Sequence, residues 1–265
     1  MTIQDDTKTT ATLVTGASSG IGCALARTFA RKGHNLILIA RDKARLEQLA
    51  DELRGETGVR VEVLPQDLSI PGAARTIIDQ LAQRALTVDI LVNNAGFDVY
   101  GNFCETDWTK ELQMIQVNLI ALTELTKLLL PGMQKRRKGR ILNLGSTGSF
   151  IPTPLNAVYS ATKAYILNFS AALAEELRGS GVTVTTLCPG ATRTEFQQRA
   201  GITNIALLKF GAMDAEAVAE VGYRAVMSGR RVAIPGLYNK LQVFLSRFLP
   251  GSWLTKAAKR MLEPR

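Results

Sequence analysis

The stretch TGASSGIG at residues 15–22 follows the apolar residues 11–14 and precedes an alanine-rich segment at residues 23–31. This order predicts a glycine turn between a buried strand and a helix. The first amide N–H groups of a helix lack intrahelical partners and carry partial positive charge, so such a turn can bind a pyrophosphate. Taken alone, the stretch also fits an ordinary tight turn. The phosphate-binding residues that it predicts are Gly16, Ser18, Ser19, Gly20, Ile21 and Gly22.

The 265 residues, 46% of them hydrophobic, are enough to bury one large core. Residues 1–10 are polar and lack the apolar segment of a secretory signal. The sequence also has no uninterrupted run of about 18 apolar residues, the length that is needed to cross a bilayer. We expect a cytoplasmic protein with a flexible N-terminus over residues 1–10, one main domain over residues 11–235 and a C-terminal extension over residues 236–265.

The cysteines and the single histidine exclude several kinds of chemistry. Cys23, Cys104 and Cys188 are odd in number, far apart and without a C-x-x-C pair, so we expect reduced thiols and no metal site. His34 follows Gly33 in a turn, where a solvated residue is expected rather than a catalytic base. Catalysis must therefore proceed without histidine.

The net charge of +9 is unevenly distributed, because residues 230–265 hold eight basic residues and one acidic residue. This asymmetry argues against a general nucleic-acid surface and for a local basic element that faces an anionic partner, a membrane headgroup or water. The KRRK run at residues 135–138 falls between a helix and a strand, and we interpret it as a solvated turn.

Short apolar runs rich in Val, Ile and Leu recur along the chain, with helical patterns between them, at residues 13–15, 36–40, 59–64, 90–93, 141–144, 182–187 and 232–235. Continuous apolarity is typical of parallel strands covered on both faces. The pattern predicts an α/β fold, a Rossmann-type doubly wound parallel sheet of about seven strands flanked by helices. Such sheets bind ligands at the carboxyl ends of their strands.

Tyr159 and Lys163 are four residues apart in a helical segment, so both side chains project from one face. A nearby ammonium favours the phenolate, lowers the tyrosine pKa and suits the phenol to general acid or base catalysis. Ser146 follows the apolar run 141–144, so its hydroxyl can donate a second hydrogen bond to the substrate oxygen with which the Tyr159 phenol exchanges a proton. Asn118 lies within a long helical stretch, where its amide either orders a water chain or is a satisfied buried group.

In order and spacing, these motifs resemble those of the short-chain dehydrogenases/reductases over residues 12 to about 195, with T-G-x-x-x-G-x-G at residues 15–22 and N-N-A-G at residues 93–96. The resemblance implies a tetrad in which Tyr159 donates the proton, Ser146 polarises the carbonyl, Lys163 also binds the nicotinamide ribose and Asn118 holds a relay water. It further implies cofactor contacts from Asp67, Leu68, Asn94, Ala95, Gly96, Tyr159, Lys163, Pro189, Gly190, Thr192 and Thr194.

The residues after the second apolar run indicate the cofactor. Ala40 stands where NAD-binding proteins place a carboxylate for the ribose 2′-hydroxyl, and Arg41 follows it. Because a guanidinium makes forked contacts with phosphate, Arg41 favours NADP. Asp42 is expected to cap a helix over residues 43–53.

Residues 195–213 are predicted to form a lid over the substrate pocket. Phe196, Ile202, Leu207, Leu208 and Phe210 would supply an apolar lining, which indicates an apolar substrate. Phe97, Phe150 and Ile151 fit a place in the same lining and a place in the core equally well.

The tail over residues 238–262 is an amphipathic, basic appendage. Packing on the domain or on a second subunit is favoured over a helix lying on an anionic membrane. Similar tails occur in DltE-like bacterial reductases, related to ketoacyl and 17β-hydroxysteroid reductases. We expect a homodimer or homotetramer and no nucleic-acid partner.

Together these features predict an NADPH-dependent carbonyl reductase, or NADP-dependent alcohol dehydrogenase, for an apolar ketone or hydroxyl compound. The leading substrates are 3-oxoacyl thioesters and steroid-like ketones. The alternatives are a non-catalytic NADP-binding regulatory protein and a membrane-associated lipid-metabolic reductase.

Overall fold

The computed structural model describes residues 9–196 and 212–263. Seven of the strands in these residues form one sheet in the order β3-β2-β1-β4-β5-β6-β9, and every pairing is parallel. This confirms the predicted doubly wound sheet. The strands are β1 (Thr9–Thr15), β2 (Leu36–Ala40), β3 (Val61–Pro65), β4 (Leu86–Asn93), β5 (Gly139–Leu144), β6 (Val182–Leu187), β7 (Thr192–Arg193), β8 (Met213–Asp214) and β9 (Val232–Ala233).

Helices cover both faces of the sheet. Buried apolar residues join α1, α2 and α7 to one face, and a second buried cluster joins α3, α5 and α6 to the other. A π-helical segment (Gln116–Ala121) links α4 to α5, and a 3-10 turn (Thr147–Ser149) precedes α6. The helices are α1 (Gly20–Arg31), α2 (Lys43–Thr57), α3 (Ala73–Gln83), α4 (Trp108–Ile115), α5 (Leu122–Arg136), α6 (Ala157–Glu176), α7 (Ala215–Met227), α8 (Leu237–Ser246) and α9 (Gly251–Leu262).

The strand order reverses between β1 and β4, because β2 and β3 lie on one side of β1 while β4 and the later strands lie on the other. Ligands of doubly wound sheets bind in the crevice at such a reversal. The glycine turn follows β1 and the Asn94 segment follows β4, so both line that crevice.

The small β7-β8 pair lies outside the main sheet and is absent from the sequence prediction. Strands of two residues carry no readable periodicity, which explains the omission. Asp42 caps α2 as expected, since its side chain accepts a hydrogen bond from the Arg45 amide at 3.1 Å. The helix continues to Thr57, four residues beyond the predicted end, because Gly58 at φ +71° supplies the left-handed C-cap.

One prediction of a solvated turn is wrong and one is confirmed. His34 is half-buried, its ring packs edge-on against Phe29 and Tyr223, and burial lowers its pKa. This difference arises from long-range contacts that a local turn pattern does not contain. The KRRK run is exposed and contains a turn at Arg137, as predicted, and its Arg136 and Lys138 side chains lie 3.7 and 3.0 Å from the Asp89 carboxylate of β4.

By length and composition, the continuous helical stretch Trp108–Arg136 could cross a membrane, with a mean hydropathy of 1.2 in its most apolar window. Among the described residues, one helix meets this criterion, and a single such helix is weak evidence for a membrane span. Its inner face packs on β4 and β5 and buries Asn118, the arrangement of a core helix in an α/β domain.

Phe29 should contribute strongly to stability, because its ring is fully buried where α1 packs against α7. We expect Phe29→Ala to lower the free energy of unfolding by about 3–5 kcal/mol in urea titrations. Phe244→Ala, which truncates a phenylalanine that is 56% exposed, is the matched control and should change it by less than about 0.5 kcal/mol. Equal effects of the two substitutions would contradict this core assignment.

Candidate active site

The glycine turn has the geometry of an anion-binding loop. Gly16 and Gly20 adopt φ values of +66° and +55°, which other residues rarely adopt. A Cβ on Gly22 would overlap the Gly16 carbonyl oxygen and the Asn94 side chain. Ser19, the N-cap of α1, makes no side-chain hydrogen bond to the helix, so its hydroxyl leaves the first amide groups of α1 uncapped. The residues present therefore fit a pyrophosphate group at this helix terminus.

Hydrogen bonds join this turn to the segment after β4. The Thr15 hydroxyl accepts from the backbone amides of Asn94 and Ala95, both at 3.0 Å. The Asn94 side-chain amide donates to the carbonyls of Thr15 and Gly16 at 2.9 and 3.3 Å. The two segments thus form one wall of the crevice, as their predicted common role requires.

The ends of β2 and β3 bring Arg41 and Asp67 together. The Arg41 guanidinium is 71% exposed and lies 3.9 Å from the Asp67 carboxylate. Asp67 Oδ1 accepts from the amide and hydroxyl of Ser69 at 2.9 and 2.7 Å, and Leu68 is buried. A cation that is exposed beside the crevice suits an anionic substituent on the ribose of a bound dinucleotide.

Ser146, Tyr159 and Lys163 converge at the carboxyl end of β5. Ser146 caps the 3-10 turn, and its hydroxyl is close enough to the Tyr159 phenol to influence the pKa of that phenol. The Lys163 ammonium donates to the Leu144 carbonyl at 2.8 Å and lies 5.6 Å from the centre of the Tyr159 ring. The predicted phenol, hydroxyl and ammonium therefore share one site.

Asn118 is held on the π-helical segment and is 1% exposed. Its amide donates to the Phe97 carbonyl and the Thr162 hydroxyl at 3.1 and 3.2 Å, and its oxygen accepts from the Phe97 amide. These bonds use both amide hydrogens, so a relay water would have to use the remaining oxygen lone pair. A Cβ on Gly96 would lie 2.9 Å from Asn118 Oδ1 and 3.6 Å from Lys163 Nζ, which explains the glycine there.

The electrostatics of the site correct one expectation. Burial, followed by the charge of Asp98, raises the pKa of Tyr159, and the nearby Ser146 hydroxyl only partly opposes them. The prediction that Lys163 lowers the pKa of Tyr159 is wrong, because the desolvation of the phenolate exceeds its attraction to the Lys163 ammonium. Burial also lowers the pKa of Lys163 to about 8.

Sequence reasoning missed Asp98 and Asn156, which are 5% and 7% exposed. The Asn156 amide donates to Asp98 Oδ2 at 2.7 Å, whereas Asp98 Oδ1 is buried with no hydrogen-bond partner. Burial raises the pKa of Asp98 to about 7. A carboxylate two residues after the N-N-A-G stretch was the available signal, but its burial depends on α6.

The remaining predicted residues surround the same site. Thr147 donates to the Pro189 carbonyl at 2.9 Å, the Thr192 hydroxyl donates to Gly190 at 3.1 Å, and Thr194 packs beside Gly20. The Phe196 ring lies 5.9 Å from the Tyr159 ring. Phe97, Phe150 and Ile151 are half-buried. Ile202, Leu207, Leu208 and Phe210 lie outside the described residues, as do residues 1–8 of the predicted flexible N-terminus.

The strand order and the glycine turn define a Rossmann-type α/β protein. The family model for short chain dehydrogenase matches residues 10–204. The chain therefore belongs to the short-chain dehydrogenase family, a family of oxidoreductases.

Relatives agree with this membership. The chain is 41% identical over 189 residues to a protein of Streptomyces violaceoruber named as ketoacyl reductase 1 of the granaticin polyketide synthase, covering 71% of this chain and 69% of the relative. It is 35% identical over 193 residues to a very-long-chain 3-oxoacyl-CoA reductase of Anas platyrhynchos, covering 70% and 61%. A short-chain dehydrogenase from Sphingobium yanoikuyae in complex with NADPH superposes with a TM-score of 0.80 at 37% identity, covering 90% and 94%.

The buried Asp98 carboxyl should make stability depend on pH. Its pKa rises from 3.8 to about 7 on folding, so between these values the unfolded state releases the proton and the folded state keeps it. The free energy of unfolding should therefore fall as the pH rises from about 4 to about 7, by up to about 4 kcal/mol. Urea titrations at a series of pH values measure this slope.

Asp98→Asn keeps the shape and the hydrogen bond from Asn156 and should remove most of the slope. Asp79→Asn, at an exposed aspartate of α3, is the control and should retain it. Parallel profiles for wild type and Asp98→Asn would show that Asp98 ionises normally in the folded protein.

Proposed function

We propose that the protein is an NADP(H)-dependent carbonyl reductase whose substrate is a 3-oxoacyl thioester. The observation that carries this proposal is the convergence of the Ser146 hydroxyl, the Tyr159 phenol and the Lys163 ammonium beside the glycine turn. All of them lie at the strand ends where doubly wound sheets bind ligands. The short-chain dehydrogenase family membership supplies the oxidoreductase class.

The side chains of this site suit a proton donor to a carbonyl. NADPH, when bound, supplies a hydride to the carbonyl carbon. As negative charge grows on the carbonyl oxygen, Tyr159 transfers its phenolic proton to it and Ser146 donates a hydrogen bond to the same atom. The raised pKa keeps Tyr159 protonated at neutral pH, which is the form that donation requires. Lys163 stabilises the phenolate that remains until solvent returns the proton.

The cofactor preference follows from the end of β2. Ala40 provides no carboxylate that would repel a 2′-phosphate, and the exposed Arg41 guanidinium can bond to one. The Sphingobium yanoikuyae structure is a complex with NADPH, which supports the same choice. We assign Gly16, Ser18, Ser19, Gly20, Ile21, Gly22, Arg41, Asp67, Leu68, Asn94, Ala95, Gly96, Tyr159, Lys163, Pro189, Gly190, Thr192 and Thr194 to the cofactor site.

The 3-oxoacyl class is supported by two observations. The Phe196 ring lies 5.9 Å from the Tyr159 ring, so apolar surface is available beside the reacting group. The relatives from Streptomyces violaceoruber and Anas platyrhynchos are named as reductases of ketoacyl and 3-oxoacyl groups. We place the catalytic domain at residues 11–235 with a substrate lid at residues 195–213. Strand β7, which lies just before residue 195, pairs with β8, which begins at Met213.

Loss of the proton donor should abolish turnover without loss of the fold. In assays of NADPH absorbance with 3-oxoacyl thioesters and steroid ketones, we expect Tyr159→Phe and Ser146→Ala to lower kcat/KM by about 100-fold or more. Tyr165→Phe, on an exposed tyrosine of the same helix, is the control and should keep wild-type turnover. Full activity of Tyr159→Phe would refute the mechanism, and full cellular function of that variant would favour a regulatory NADP-binding protein. Faster turnover of steroid ketones would refute the substrate class.

Arg41→Ala should weaken NADPH binding selectively, because a charge-assisted bond to the 2′-phosphate is lost. We expect the Kd for NADPH to rise about 10- to 100-fold while the Kd for NADH stays within about twofold, as measured by titration of cofactor fluorescence. Arg178→Ala is the control, since its side chain is equally exposed at 72% but lies just after the C-terminal end of α6. A wild-type preference for NADH would contradict the role given to Arg41.

A further inference from the structure

The C-terminal helices α8 and α9 pack on the domain along a narrow seam. Asn239 and Val243, one turn apart on α8, are 6% and 3% exposed, and Leu262 of α9 is 5% exposed. The Tyr100 hydroxyl donates to the Leu262 carbonyl. The predicted packing of the tail on the domain is thus present, but it uses only one side of each helix.

The opposite side of α8 and the turn after it form a continuous apolar face. Its members recur at spacings of three, four and seven residues, and each is between 47% and 82% exposed: Leu237, Tyr238, Leu241, Phe244, Leu245, Phe248 and Leu249. Single exposed apolar residues are ordinary, but a contiguous patch marks an interaction surface. Trp253 of α9, which is 67% exposed, extends the apolar surface of the tail.

Cations accompany this apolar face. Lys240 and Arg247 are seven residues apart and flank it along one side of α8. On α9, Lys256 and Arg260 follow Trp253 at helical spacing and are exposed on its side. Residues 237–263 contain five basic residues and one acidic residue.

We propose that this surface docks on an anionic lipid bilayer. The exposed Leu and Phe side chains can enter the acyl boundary while Lys and Arg reach the headgroups, the arrangement of interfacial amphipathic helices. A second copy of the chain would bring the same cations against each other. A nucleic acid would match the charge but would leave the leucines against a hydrated polyanion. Lipid is the occupant that satisfies both the apolar face and its charge.

The test uses the full chain and vesicles of phosphatidylcholine with or without phosphatidylglycerol. We expect the protein to sediment with the phosphatidylglycerol vesicles and to be released by salt, because headgroup attraction is screened. In a Trp108→Phe background, Trp253 fluorescence should shift to shorter wavelength on binding. Lys256→Glu with Arg260→Glu should lower the partition coefficient about tenfold or more, and Leu241→Ser with Phe244→Ser and Phe248→Ser should abolish partitioning.

Leu112→Ser with Ile120→Ser is the control, because these residues are similarly exposed at 51% and 48% but lie on α4 and the π-helical segment. This variant should bind vesicles like wild type. Circular dichroism verifies that every variant is folded. The proposal is overturned if the full chain stays in the supernatant with anionic vesicles, or if the serine variant still partitions. It is also overturned if light scattering shows that the serine substitutions dissociate a dimer while wild type ignores vesicles, since a second copy would then cover the face.

Discussion

The close approach of the glycine turn to the Asn94 segment is the constraint on which the site depends. Two adjacent parallel strands, β1 and β4, end side by side, and Asn94 ties the carbonyls of Thr15 and Gly16 to its own turn. A side chain at Gly16 or Gly22 would occupy the space that Asn94 now fills. The contact between Asn94 and the glycine turn therefore holds the two strand ends together and also fixes the start of α1, whose amide groups point towards the crevice. The packing of the two strand ends and the geometry of the phosphate-binding turn therefore depend on the same residues.

The chain that continues from Asn94 carries this order to the catalytic side chains. Gly96 allows Asn118 and Lys163 to approach, and two hydrogen bonds with the Asn118 side chain orient the amide and the carbonyl of Phe97. Burial is the largest cause of the pKa shifts of Tyr159 and Lys163, and Asp98 adds to the rise at Tyr159 and opposes the lowering at Lys163. One loop thus connects the cofactor crevice, the tetrad and its buried charge, so a change in this loop should affect binding and protonation together.

The sheet was predictable because parallel strands that are covered on both faces appear as continuous apolar runs. The convergence of Ser146, Tyr159 and Lys163 was also predictable, since a strand end and an i, i+4 spacing fix it locally. The direction of the Tyr159 pKa shift was not, because it depends on how far the phenol is removed from water and on Asp98, a residue that is distant in sequence. Spacing determines which groups meet, whereas their protonation depends on the solvent that the whole fold excludes.

The tail joins the substrate side of the molecule to its exposed apolar face. At the beginning of the tail, α8 places Asn239 so close to Gly190 that a Cβ on Gly190 would overlap the Asn239 side-chain amide. At the end of the tail, the Leu262 carbonyl of α9 accepts a hydrogen bond from Tyr100. Gly190 and Tyr100 belong to the segments after β6 and β4 that border the tetrad. A bilayer against the exposed face of α8 and α9 would therefore be separated only by these helices from the segments that we propose to contact the substrate. For an amphiphilic acyl thioester this places the source of the substrate beside the site, which a face directed at water would not do.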